Sequence, residues 1–158
     1  MRYRSRPVRI VLAAAALTGA AVPAATAPRA PEPTSTVTIV ATGLRNAHGV
    51  VRACMTGDTA LFPRCTNAAR SYHAVGDAAG RVTLTFNDVQ PGRYAIALLH
   101  DENANGKADR AAMMIPREGF GFSRDAKVRF GPPRFGEAAF DLAPGDQETL
   151  VIRMRYML

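Results

Sequence analysis

The chain has 158 residues, a formal charge of +7, two Cys and no Trp, a length that fits one domain plus export machinery. Four of the seven excess positive charges are Arg2, Arg4, Arg6 and Arg9, which leaves +3 for the remainder. So mild a basicity excludes nucleic acid as a partner.

Residues 1–27 read as a secretory signal peptide: an arginine-rich start, the apolar run Ile10 to Val22, then small residues at Ala24, Ala25 and Ala27. The apolar run is too short to span a bilayer, and no transmembrane segment remains once the signal is removed. No Cys follows the run and no twin-arginine pair precedes it, so a lipid anchor and a twin-arginine route are not expected. The expected location is periplasmic or secreted. Residues 28–35, with Pro28, Pro31 and Pro33, read as a disordered linker.

The domain is expected over residues 36–158. Thr36 to Thr42 alternates Thr with apolar residues, as a half-buried strand does. Val50 to Thr56 is a second strand and Arg70 to Val75 a short one, with turns at Asn46–Gly49 and Asp77–Gly80. Arg81 to Phe86 places Val82, Leu84 and Phe86 on one face. Pro91-Gly92 suits a type II turn, with Gly92 at positive φ, leading into a strand over Arg93 to Leu99. Ala138 to Leu142 and Glu148 to Tyr156 complete the set. No long 3.6-residue period occurs. Seven or eight short strands at this spacing predict an all-β, antiparallel sandwich with one long loop over about residues 100–135. An outer-membrane barrel lacks its girdles of aromatic residues and its longer strands.

Cys54 and Cys65 form an even, close pair. In an oxidising compartment such a pair reads as a disulfide; two buried free thiols are the alternative. The spacing is not that of a Cys-x-x-Cys redox site.

Phe86-x-x-Val89-x-Pro91-Gly92-x-Tyr94-x-Ile96 resembles the hairpin of prealbumin-like (transthyretin-like) sandwich domains. Over residues 36–158 the chain resembles a family of uncharacterised bacterial exported proteins, a domain of unknown function. The matching pieces are Gly43-Leu44 through Gly49, His100-Asp-Glu-Asn-x-Asn-Gly-Lys-x-Asp109, Ile115-Pro-x-Glu-Gly-Phe-Gly-Phe-Ser123 and Phe130-Gly-Pro-Pro-x-Phe135. The resemblance implies a β-sandwich of unassigned role. It also implies Gly where this chain has Ala104, and Leu where it has Ala108.

The long loop carries the chemistry. Counted from Asp101 as position 1 of an EF-hand-type loop, Asn103 and Asn105 fall at positions 3 and 5, Gly106 at the sharp turn, the Lys107 carbonyl at 7 and Asp109 at 9. Position 12 is Ala112, which cannot coordinate, so the calcium site is incomplete. Glu118, Asp125, Glu137 or Asp141 could complete it, or waters could. A metal-free turn explains the same residues, because Asn105-Gly106 is a tight-turn pair and Asp and Asn cap turns through nearby amides. One His and no Cys in the loop argue against zinc.

His100 and Ser123 are the weak catalytic candidates; the Ser123 context, Gly-Phe-Ser-Arg, is not a nucleophile elbow. His48 and His73 are expected to be exposed. Phe120, Phe122, Phe130 and Phe135 either pin the loop to the sandwich or form an exposed patch. Arg117, Arg124, Lys127, Arg129 and Arg134 run among them. They are either a solvated face or a surface for an anionic glycan, a lipid headgroup or an acidic protein. The expectation is therefore an exported, non-enzymatic binding or accessory module whose partner is an unknown protein, glycan or envelope component. The alternatives are a cell-envelope hydrolase using the same loop, or a purely structural domain.

Overall fold

Period-two alternation decides most of the strands. In the computed structural model the described residues are 31–111 and 115–158, so the leader expected at 1–27 lies outside them. Eight strands form: β1 (Ser35–Thr42), β2 (Val50–Thr56), β3 (Tyr72–Asp77), β4 (Val82–Val89), β5 (Gly92–Asp101), β6 (Gly119–Phe122), β7 (Phe140–Leu142) and β8 (Gln147–Arg153). A one-turn helix, α1 (Phe135–Ala138), precedes β7.

The strands make a β-sandwich. One sheet runs β4-β1-β8; the other runs β3-β2-β5-β6, with β7 paired to the start of β5. Every named pair is antiparallel except β1 with β8, which runs parallel in the register Thr38↔Thr149. The antiparallel expectation fails at this pair alone, because alternation places side chains on faces without encoding strand direction.

The main core lies between the sheets. Val37, Ile39 and Ala41 of β1 face Val51, Ala53 and Met55 of β2 and Ile96 and Leu98 of β5, with Leu84, Phe86 and Ile152 closing around them. Each large apolar side chain buried this way stabilises by about 1.5–3 kcal/mol. β5 is covered on its other face too. Ala95 and the partly buried Ala97 pack there in a second cluster with Phe122, Ala126, Ala138, Phe62, Phe120, Val128 and Phe135. Burial on both faces explains why β5 reads as a nearly unbroken apolar run.

Cys54 and Cys65 are disulfide-bonded, their Cα atoms 6.2 Å apart. The bond ties the 57–65 segment to β2, and that segment carries Phe62, whose ring meets Phe122 and Phe135 at 5.9 and 6.0 Å.

Three other expectations change. The linker ends before Ser35, which is buried in β1: its hydroxyl donates to the Ala143 carbonyl at 2.8 Å and accepts from the Asp146 amide at 3.1 Å. Gly92 is not at positive φ, so the turn is not type II there; the left-handed residue of that hairpin is Asp88, φ 54°. Gly92 is constrained by space instead, since a Cβ there would sit 3.3 Å from the Tyr94 ring. Finally, residues 100–135 are not one loop. β6 and a 3-10 turn at Ser123–Asp125 divide them into a polar part, 102–118, and a shorter one, 126–134.

Candidate functional site

The polar part starts at the end of β5. His100 and Asp101 pair across with Val51 and Val50 of β2, and both side chains are fully buried. A buried carboxylate needs partners, and Asp101 has three. Its Oδ2 accepts from Arg52 Nε at 2.6 Å and from the Gly106 amide at 2.8 Å, and its Oδ1 accepts from the Asn105 amide at 3.0 Å. Burial pushes the Asp101 carboxyl up, but the Arg52 and backbone hydrogen bonds outweigh it and hold its pKa below the usual range. Asp101 is therefore the buried root of the loop.

Beyond it the chain turns on its own side chains. Asn103 Oδ1 accepts from the Asn105 amide at 3.1 Å and Asn105 Oδ1 from the Lys107 amide at 2.8 Å. Both are the local turns that Asn favours. The two side-chain amides then converge on one atom: Asn103 Nδ2 and Asn105 Nδ2 donate to Asp109 Oδ2 at 2.8 and 3.1 Å. Gly106 takes φ 77°, as the sharp turn requires, and Ala104 is held at φ 55°. The Lys107 backbone belongs to this turn, and its side chain is exposed.

Of the four carboxylates expected to complete the site, only Glu118 reaches it. Glu118 is buried; Oε1 accepts from the Glu102 amide at 3.2 Å and Oε2 from the Asp109 amide at 3.0 Å. It clamps both ends of the loop through backbone amides, and burial raises its pKa, aided by the Asp101 and Asp109 charges. Asp125 pairs with Arg155, Asp141 with Arg93, and Glu137 accepts from the Arg134 amide. Among the described residues no group of three His, Cys, Asp or Glu side chains is arranged to hold a metal ion. Any cation here would rest on two Asp, two Asn and a carbonyl.

Residues 39–150 match the family described as "Uncharacterized protein conserved in bacteria (DUF2141)". The chain belongs to this family. No curated protein and no solved structure matches it. The matched span contains the polar loop, the aromatic cluster and both cysteines.

The two weak catalytic candidates of this family member are not brought together. Ser123 lies beyond Phe122, which pairs with Ala97, so it sits four strand positions from His100. Its hydroxyl donates to the Ala138 carbonyl at 2.6 Å and accepts from the Ile96 amide at 2.9 Å. His100 has its own partners. Nε2 lies 2.8 Å from the His48 carbonyl, which can only accept, so that nitrogen carries the proton. Nδ1 lies 2.7 Å from Tyr156 Oη, and Tyr156 Oη accepts from the Arg45 amide at 3.1 Å. His48 and His73 are exposed.

Three residues of this region escaped the sequence reading. Arg45 forms a two-point ion pair with Glu102, at 2.6 and 3.0 Å, and lies over the Tyr156 ring at 4.6 Å. That hydrogen bond holds the Glu102 carboxyl below its usual range. Arg52 reaches Asp101 from the neighbouring strand. Arg45 and Glu102 stand inside pieces that carry the family resemblance and Arg52 does not, but local sequence assigns none of them a partner, because each partner is about 50 or more positions away in the chain.

Proposed function

We propose that the protein is an exported, non-enzymatic binding or accessory module that meets its partner through the 100–135 segment, with a weak calcium site in the 101–109 loop. The arginine-rich leader and the Cys54–Cys65 bond support residence outside the cytoplasm. The observation that supports the calcium reading is that Asn103, Asn105 and Asp109 lie within hydrogen-bond reach of one another, both Asn side-chain amides donating to Asp109 Oδ2, above a loop rooted by Asp101. Each Asn oxygen spends one lone pair on a backbone amide and keeps another. Among the described residues Asp109 Oδ1 has no hydrogen-bond partner, whereas Oδ2 has two. Oxygen donors of this kind suit a hard cation.

Two loop carboxylates and no bidentate Glu mean weak binding, with Kd about 10⁻⁴–10⁻³ M, the range of extracellular modules. Glu118 is occupied with holding the Glu102 and Asp109 amides, one on each carboxylate oxygen. Calcium at about ten times Kd is expected to add about 1.4 kcal/mol of stability, and magnesium less, because it dehydrates reluctantly. The test compares melting of wild type and Asp109→Ala with calcium and with chelator. Asp109 is the right position, because Asp101 supports the fold itself. A calcium-dependent rise in wild type alone is expected. One melting temperature per protein, regardless of calcium, would leave these residues as turn chemistry only.

A further inference from the structure

The second half of the segment presents a different surface. Residues 126–134 connect the 3-10 turn at Ser123–Asp125 to α1. The ends of this loop are fixed: Ala126 and Pro133 are buried, and Val128 packs into the aromatic cluster. Its apex is not. Phe130 is fully exposed, at 108% of its reference area, the most exposed large hydrophobic side chain among the described residues. Phe122 of the same segment is buried, and Phe120 and Phe135 are partly buried, so one of the four aromatic rings is held out in water while the others anchor the chain.

The apex is also cationic. Lys127, Arg129 and Arg134 are exposed, and among the described residues none of their side chains has a carboxylate partner. The neighbouring carboxylates are engaged: Asp125 lies 3.5 Å from Arg155 Nη2, and Glu137 Oε2 accepts from the Arg134 amide at 2.6 Å. The other exposed large hydrophobics, Val75, Val151, Met157 and Leu158, lie outside this loop and do not widen it into an apolar groove. A protein partner is recognised through a broader apolar patch. A single ring between cations, on a loop anchored at both ends, matches a surface whose apolar layer lies just beneath an anionic one.

We propose that the 126–134 loop docks the protein on an anionic lipid bilayer, with Phe130 entering the interface and Lys127, Arg129 and Arg134 meeting the headgroups. This rests on the 100–135 segment being the working face, but it does not need the calcium site. One aromatic anchor plus a few cations gives reversible attachment that salt weakens.

The chain has no Trp, so Phe130→Trp places a unique indole reporter at the apex. The whole chain is used in chelator, with residues 1–30 common to every variant, against phosphatidylcholine vesicles with and without phosphatidylglycerol. With phosphatidylglycerol present, the indole emission of the Phe130→Trp variant is expected to shift to the blue and to be quenched by brominated acyl chains, and high salt should reverse both. Phe130→Ser should weaken vesicle binding about tenfold, and Lys127→Ala or Arg129→Ala about fivefold each. Melting temperatures should not change, because these side chains touch no core. Absence of any emission shift would overturn the proposal. So would equal binding to heparin without a shift, which would assign the cations to a soluble polyanion. The calcium melts fail or succeed independently of either result.

Discussion

The two halves of the 100–135 segment are held down by opposite physics. The described residues of 100–111 and 115–118 are fixed by buried polar groups: Asp101 on Arg52 and two amides, Glu118 on two amides, and His100 between Tyr156 and the His48 carbonyl. Residues 119–138 are fixed chiefly by apolar contact, with Phe122, Ala126 and Ala138 packed against β5 and Phe62, and the buried Ser123 hydroxyl as a polar pin on the Ile96 amide and the Ala138 carbonyl. The polar half is directional, so each bond sets a backbone position and the turn is defined atom by atom. The apolar half is non-directional, so it fixes the ends of the 126–134 loop and leaves the apex free to present Phe130. A turn that brings Asn103, Asn105 and Asp109 together needs the first kind of support. A loop that projects one ring needs only the second.

Breaking the apolar half should have the largest effect. Phe122→Ala removes the buried ring that meets both Phe62 and Phe120, and a loss of about 3–5 kcal/mol is expected in chemical denaturation. A loss below about 1 kcal/mol would mean that the second cluster contributes little to folding. Breaking the polar half at its root comes next. Asp101→Ala strands Arg52 Nε and the Asn105 and Gly106 amides. It should cost about 2–3 kcal/mol, toward the lower end for a buried pair, because Arg52 is partly exposed and can reach water. Hydrogen exchange should show faster opening at Asn105 and Gly106 with β6 unchanged. Equal loosening of both halves would show that the division is false. The smallest effect sharpens the comparison. Ala104 is at φ 55°, where a Cβ is strained and Gly is not, so Ala104→Gly should stabilise by about 1 kcal/mol. Any loss of stability from this change would show that the 103–106 turn differs from the one described.

Legibility follows the same division. β1, β2, β4 and β5 were readable because their side chains alternate, and the cysteine pairing was readable from spacing and context. β6 was not. Its alternate positions Gly119 and Gly121 have no side chains to alternate, because a Cβ at Gly119 would enter the Tyr156 ring and one at Gly121 would lie 2.8 Å from Ile152. α1 has four residues, too few to show a helical period. In the candidate site, the Asn and Asp spacing singled out Asn103, Asn105 and Asp109, whose side chains hydrogen-bond to one another. It gave Asp101 the same standing, although Asp101 is a buried strand residue. Only the neighbouring β2 reveals that difference, since Arg52 is 49 positions away in the chain. A Gly at the place of Ala104 would suit the left-handed backbone there.

The parallel pairing of β1 with β8 has a consequence for how the chain comes together. Thr38 waits for Thr149, 111 positions later, and β1 lies between β4 and β8 in its sheet. Until β8 arrives, one side of β1 offers a row of unpaired amides and carbonyls to any other extended chain. Contacts this distant in sequence form slowly. Assembly of that sheet therefore ends late, with its central strand the one left open longest. A chain interrupted before Gln147 would be a sticky fragment and not a smaller domain.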